Sequence, residues 1–216
     1  MRVPRPFVLA AISAAALLAA CGQDRATLVE PALAPAVPRL SEGPTSPNFL
    51  SADAAGPVIA NPVAQFWAKK GEDRTGTIYY HRVSGGRDSI PLFALRVRPK
   101  SLLRRPDGTA IATGDSVLIT LTLVDAERLI VDCQPSGLRF DPKDPARARM
   151  SFEFTDSDVN DDGRVDAADT ALTKTFAIWR QETTDAPWYR QLSNLSFGAH
   201  EVETDVGGFT SYAIAW

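Results

Sequence analysis

The sequence predicts a mainly β fold: an antiparallel β-sandwich with one short helix after an inserted acidic loop. Three observations predict it. Apolar residues recur at every second position over most of the second half, the period of strands with one buried and one wet face. Turn-forming clusters, among them Gly85-Gly86, Pro106-Asp107-Gly108, Pro135-Ser136-Gly137 and Gly207-Gly208, divide these runs, as short strands at regular spacing require. Helix signals are confined to one short stretch after the acidic loop.

In chain order, residues 1–20 begin with Arg2 and Arg5 and continue as a charge-free apolar run from Phe7 to Ala20. A membrane-spanning helix needs about 20 apolar residues. The shorter run, its basic start and the small residues at its end describe a secretory signal. Residues 22–65 hold seven prolines, with Ala, Ser and Gly supplying much of the rest and Phe49 the only aromatic. Such a segment buries too little apolar surface to offset the ordering of its chain, so residues 21–65 are expected to form a disordered tether, with some residues near Val58 to Val63 packing on the domain. Composition changes at Phe66-Trp67, and residues 66–216 have the size of one domain.

Within that domain Phe93, Leu95 and Val97 alternate with Ala94 and Arg96, and Val117, Ile119, Leu121 and Leu123 alternate with a face bearing Thr120 and Thr122. Cys133 is expected on the face of Leu129 and Val131, as a small buried hydrophobe. Met150, Phe152 and Phe154 alternate with Ser151, Glu153 and Thr155. Ala167 to Thr173 is expected to be the helix, with Asp166 as its N-cap. Residues 175–181 are expected to form a strand, and Tyr212, Ile214 and Trp216 are expected to alternate with Ser211, Ala213 and Ala215 in a closing strand.

Composition also excludes. The net charge of −3 lacks the clustered Lys/Arg surface that phosphate binding needs, so no nucleic-acid partner is expected. Two cysteines and two distant histidines, His81 and His200, leave no disulfide scaffold and no Cys- or His-based metal cluster. The chain has no G-x-S-x-G elbow, P-loop or H-E-x-x-H motif. Asp132, Glu153 and Glu201 fall at outward strand positions, so no catalytic residues are assigned and an enzyme is not expected.

The chemistry concentrates in Asp158-Val159-Asn160-Asp161-Asp162-Gly163-Arg164-Val165-Asp166-Ala167-Ala168-Asp169. The pattern D-x-N-x-D-G followed five residues later by an acid is that of an EF-hand calcium loop. Calcium takes six to eight hard oxygens, so alternate residues of a curled loop must face one centre. Asp158, Asn160 and Asp162 are those residues, Arg164 offers its backbone carbonyl, Asp166 reaches the ion directly or through water, and Asp169 closes the shell. Gly163 permits the sharp turn, and Val165 is expected to pack the loop on the body. From Asp156 to Asp169 six carboxylates face one cation, Arg164, and charges this close repel unless a cation is shared. Ca²⁺ suits the set better than Mg²⁺, which demands tight octahedral geometry, at an affinity in the weak range of about 10⁻⁴–10⁻³ M. Paired long helices are missing, so stapling is expected rather than a sensor's opening.

Three resemblances add to this reading. Leu18-Ala19-Ala20-Cys21-Gly22 resembles the bacterial lipoprotein signal, which implies lipidation of Cys21 and a membrane partner through that lipid. Gly22 in place of Asp implies the outer membrane. The order Pro135-Ser136-Gly137-Leu138-Arg139-Phe140, Pro187-Trp188 and Gly208-Phe209-Thr210-Ser211-Tyr212 resembles the ZU5 type of immunoglobulin-like β-sandwich, an interaction or structural module. The acidic loop is similar to the dockerin calcium motif, which also carries Asp where Asp169 stands, although dockerins carry two such segments. Together these imply a calcium-binding, lipid-anchored cell-envelope protein with a protein or polysaccharide partner. A carbohydrate-binding module is the alternative, with Trp67, Tyr79, Tyr80, Trp188 and Tyr189 as its aromatic platform.

Overall fold

In the computed structural model, residues 47–51, 59, 61–80, 90–152, 158–160 and 162–216 are described. The period-two runs become strands: β1 (Val63–Lys69), β2 (Arg74–Tyr80), β3 (Ile90–Val97), β4 (Leu102–Arg104), β5 (Ser116–Asp125), β6 (Ile130–Gln134), β7 (Arg139–Phe140) and β8 (Ala146–Ser151). After the acidic loop come α1 (Ala167–Thr173), β9 (Ala177–Gln181), β10 (Trp188–Arg190), β11 (Ser193–Ser196), β12 (Glu201–Val206) and β13 (Ser211–Ala215). One sheet has the order β1-β5-β6-β13-β9-β10 and a second β11-β12-β8-β3-β2, while β4 and β7 form a small ribbon. Every strand pair is antiparallel.

The inward faces of the two sheets share one core. Ile119, Leu121, Val131, Tyr212 and Ile214 of the first meet Leu92, Leu95, Ala148, Met150 and Val202 of the second, all buried. Cys133 is in this core with Val131; Leu129, buried as expected, precedes β6 in a left-handed backbone conformation (φ 50°) and is not on the strand. Burial pushes the Cys133 thiol well above its ordinary pKa, which makes it inert.

Two expectations need correcting. The terminal strand was expected to wet one face, but Tyr212, Ala213, Ile214 and Ala215 are all buried. The reason is a second apolar cluster on the outside of the first sheet: Ile130, Ala177, Trp179, Trp188, Ala213 and Ala215, with Phe49 packed against it. The second concerns the domain boundary. β1 begins at Val63, and residues 48–50 lie alongside β13: Asn48 and Trp216 exchange backbone hydrogen bonds (3.2 and 3.1 Å), and Leu50 N–H donates to Ile214 O (2.9 Å). This short segment takes the side of β13 that β6 leaves after Tyr212. It is held because Leu50 enters the core, 2% exposed, and Phe49 meets Trp188 edge-on at 5.1 Å. Residues 1–46, with the expected signal and Cys21, lie outside the described residues, as do Phe154 and His81.

Candidate metal centre

The acidic loop joins β8, on the second sheet, to α1 and β9, on the first. Its sequence dictates its path through short side chains that accept backbone N–H groups, the habit of Asp and Asn in turns. Asp158 Oδ1 accepts from Asp162 N (2.9 Å), and its Oδ2 accepts from Gly163 N. Asn160 Oδ1 also accepts from Asp162 N (3.0 Å), and Asn160 Nδ2 donates to Asp162 Oδ2 (3.2 Å). Asp162 Oδ1 accepts from Arg164 N (2.9 Å). Gly163 makes the sharp turn at φ +82°, where a side chain is strained.

Asp169 closes the loop. It is 4% exposed, the most buried of the segment's described residues. Its Oδ1 accepts from Val159 N (2.8 Å) and Asn160 N (3.2 Å), and its Oδ2 accepts from Asp166 N (2.8 Å). These backbone donors, led by Asp166 N–H, hold its carboxyl below the usual aspartate range, against the opposing effect of burial. Asp166 is the expected N-cap of α1: its Oδ1 accepts from Ala168 N (2.7 Å), and with Asp169 it completes a capping box.

The structure therefore brings Asp158, Asn160 and Asp162 together at the loop's first turn and ties Asp169 to the loop's start and to Asp166. Arg164 is exposed, its carbonyl role resting on the backbone alone. Among the described residues no three Asp, Glu, His or Cys side chains converge as a ready metal-holding group, and Asp161 lies outside them. Nor does any of Asp158, Asp162, Asp166 or Asp169 have an ion-pair partner among the described residues. The set is all hard oxygen, and a carboxylate oxygen that accepts one N–H keeps a further lone pair. Val165 does not pack the loop on the body as expected; it is 64% exposed, and Val159 packs against the core instead. The Asp169 bond to Val159 N–H turns that residue, and not Val165, toward the sheet.

The other candidate residues are structural in their surroundings. His200 takes φ +50° and stacks on the Phe152 ring at 5.6 Å. Glu201 pairs with Arg149 (3.4 Å) on the outward face of the second sheet, where Arg147 also meets Glu203 (3.5 Å). Asp132 accepts from Gln134 Nε2 (2.7 Å) and Ser211 Oγ (3.3 Å). The aromatic platform is not assembled: Tyr80 and Trp188 are buried, Trp67 and Tyr79 stand on different sheets, and Trp67 alone is widely exposed at 62%. Comparison with family models, curated proteins and solved structures finds no match to this chain.

Proposed function

We propose that the chain is a calcium-stapled β-sandwich, anchored to the cell envelope through lipid on Cys21, that serves as a structural or protein-interaction module. One observation carries the calcium reading. Six acidic residues crowd a loop of EF-hand spacing, and the described ones are satisfied only by backbone and side-chain N–H groups, with no cationic partner among the described residues. Asp158, Asn160, Asp162 and Asp169, with the Arg164 carbonyl and Asp166, would hold the ion. Loading would draw the carboxylates closer than they stand. The ion would then fix the path from β8 to β9 and so tie one sheet to the other.

The ZU5-like reading of the sandwich draws support from two motif segments that meet. Phe209 N–H donates to Leu138 O (3.3 Å), Phe140 N–H donates to Gly207 O (3.1 Å), and the rings of Phe140 and Phe209 pack edge-to-face at 5.1 Å.

The test of stapling is thermal. At 10 mM calcium and a dissociation constant of 10⁻⁴–10⁻³ M, linkage supplies about 1.4–2.7 kcal/mol, which raises Tm by roughly 3–10 °C over excess chelator. Equal melting temperatures contradict stapling. The anchor is tested separately: Cys21→Ala moves the protein from the membrane fraction to the soluble fraction, and an unchanged distribution contradicts it.

A further inference from the structure

The small ribbon of β4 and β7 sets two arginines against each other. Arg104 and Arg139 are cross-strand partners, just past a register shift between Leu102 and Arg104. Such partners project on one face with Cβ atoms about 4.5–5.5 Å apart, and like charges placed directly opposite destabilise the pair. The row continues on both sides: Arg104 also bridges Ala110, and Arg139 bridges Gly208. Around the first bridge Arg105 N–H donates to Thr109 O (2.9 Å) and Ile111 N–H to Leu103 O (3.0 Å). Around the second Phe140 N–H donates to Gly207 O (3.1 Å) and Phe209 N–H to Leu138 O (3.3 Å). The hydrogen bonds flank both bridges, so both are the closer kind of antiparallel pair, in which side chains come nearest. Leu102, Leu138 and Phe140 are buried beneath, and both arginines are exposed on the outward face.

A third guanidinium reaches the Gly208 end of this row. A Cβ on Gly208, projecting on the same side as Arg139, would stand 3.9 Å from Arg180 Nη2. Arg180 arrives there from β9 with its side chain 16% exposed, and its Nη2 meets Glu182 Oε2 at 3.0 Å. Its Nε is buried with no hydrogen-bond partner among the described residues. Arg104 Nη1 donates to Gly108 O (2.9 Å), which leaves its other N–H groups open. Neither Arg104 nor Arg139 has an ion-pair partner among the described residues. The next residue, Arg105, is by contrast engaged by Asp115 at 3.6 Å.

Three guanidiniums less the one carboxylate of Glu182 leave two positive charges in excess on this face. A carboxylate ligand would bring one charge and two oxygens, enough for a single guanidinium fork. A phosphate monoester brings about −1.5 to −2 at pH 7 and three acceptor oxygens, and planar guanidinium forks bind phosphate in bidentate fashion. We propose that Arg104, Arg139 and Arg180 form a binding site for one phosphate group, either free or at the end of a lipid headgroup. The bound group would relieve the opposition of Arg104 and Arg139. The row has the width of a single phosphate, unlike the long basic track that a nucleic-acid backbone requires. The site depends on neither calcium nor the anchor.

The experiment uses the full chain in a maltoside detergent and calcium-free buffer at constant ionic strength. Calorimetric titration has two arms: inorganic phosphate, and mixed micelles of phosphatidic acid with phosphatidylcholine micelles as the blank. The chain binds in at least one arm; binding of inorganic phosphate shows that the free anion suffices, and binding of phosphatidic acid alone shows that the site needs the headgroup. Arg104→Gln and Arg139→Gln each weaken binding at least fivefold. Lys174→Gln, at the exposed C-cap of α1, leaves it within twofold. Without phosphate the Arg139→Gln chain melts no lower than the unaltered one, since it loses only a like-charge opposition. Three results overturn the proposal: no binding in either arm, binding unchanged in both arginine variants, or a lower melting temperature for Arg139→Gln in the absence of phosphate, which would give that arginine a partner within the fold.

Discussion

Asp169 and Gly163 do opposite work in the acidic loop. Asp169 gathers three backbone N–H groups from both ends of the segment, and Gly163 supplies the left-handed turn between them. Replacing Asp169 with Asn keeps the side-chain size but removes the charge and turns one acceptor oxygen into an NH2 that faces a backbone N–H, so calcium affinity falls at least tenfold by titration calorimetry. Gly163→Ala meets no steric neighbour, and its cost is the backbone conformation alone, about 1 kcal/mol by chemical denaturation. The depressed Asp169 carboxyl also fixes a pH dependence. A carboxyl with a folded pKa below its unfolded value adds stability above the ordinary range, and this is lost as pH falls through the folded pKa. The amide signals of Val159 and Asn160 therefore hold steady from neutrality to about pH 4 and move only below it; a midpoint at or above the ordinary aspartate value contradicts the hydrogen-bonded closure.

At the scale of elements, legibility followed periodicity. β5 was plain because its inward Val117, Ile119, Leu121 and Leu123 alternate with exposed or half-buried partners, as a strand with one wet face must. α1 was legible through its cap, since Asp166 sits where an N-cap side chain is needed. The alternation of Tyr and Ile with Ala and Ser along β13 predicts one wet face, because it does not reveal a second cover. That cover comes from Trp179, Trp188 and the distant Phe49. The 48–50 segment was hidden for a related reason. Two apolar residues amid prolines have no period, and their pairing with β13 spans most of the chain. Its weight can be measured: Leu50→Ala, in a core position 2% exposed, costs about 2–4 kcal/mol in denaturant unfolding. A value under 0.5 kcal/mol shows that the segment only rests on the sheet. The acidic loop's pattern is plain in the sequence, but its packing residue is Val159 and not Val165, because an apolar residue in a loop does not announce which way the backbone bonds turn it.

For the whole molecule, two antiparallel sheets share one core, and the loop between β8 and β9 crosses from one to the other. Placed there, the proposed ion would act on the sandwich and not on a free tip. The outward faces differ in kind. The second sheet carries Arg147 and Arg149 against Glu203 and Glu201. The first carries Trp67 and Leu118 beside polar Gln65 and Thr120. The central claim is that one calcium ion is gripped by oxygens from Asp158 to Asp169, and calorimetric titration of the full chain with calcium tests it most directly. The account predicts one site with a dissociation constant of about 10⁻⁴–10⁻³ M, abolished in the Asp158→Ala/Asp162→Ala variant. No specific heat of binding in the unaltered chain, or the same isotherm in the double variant, contradicts it.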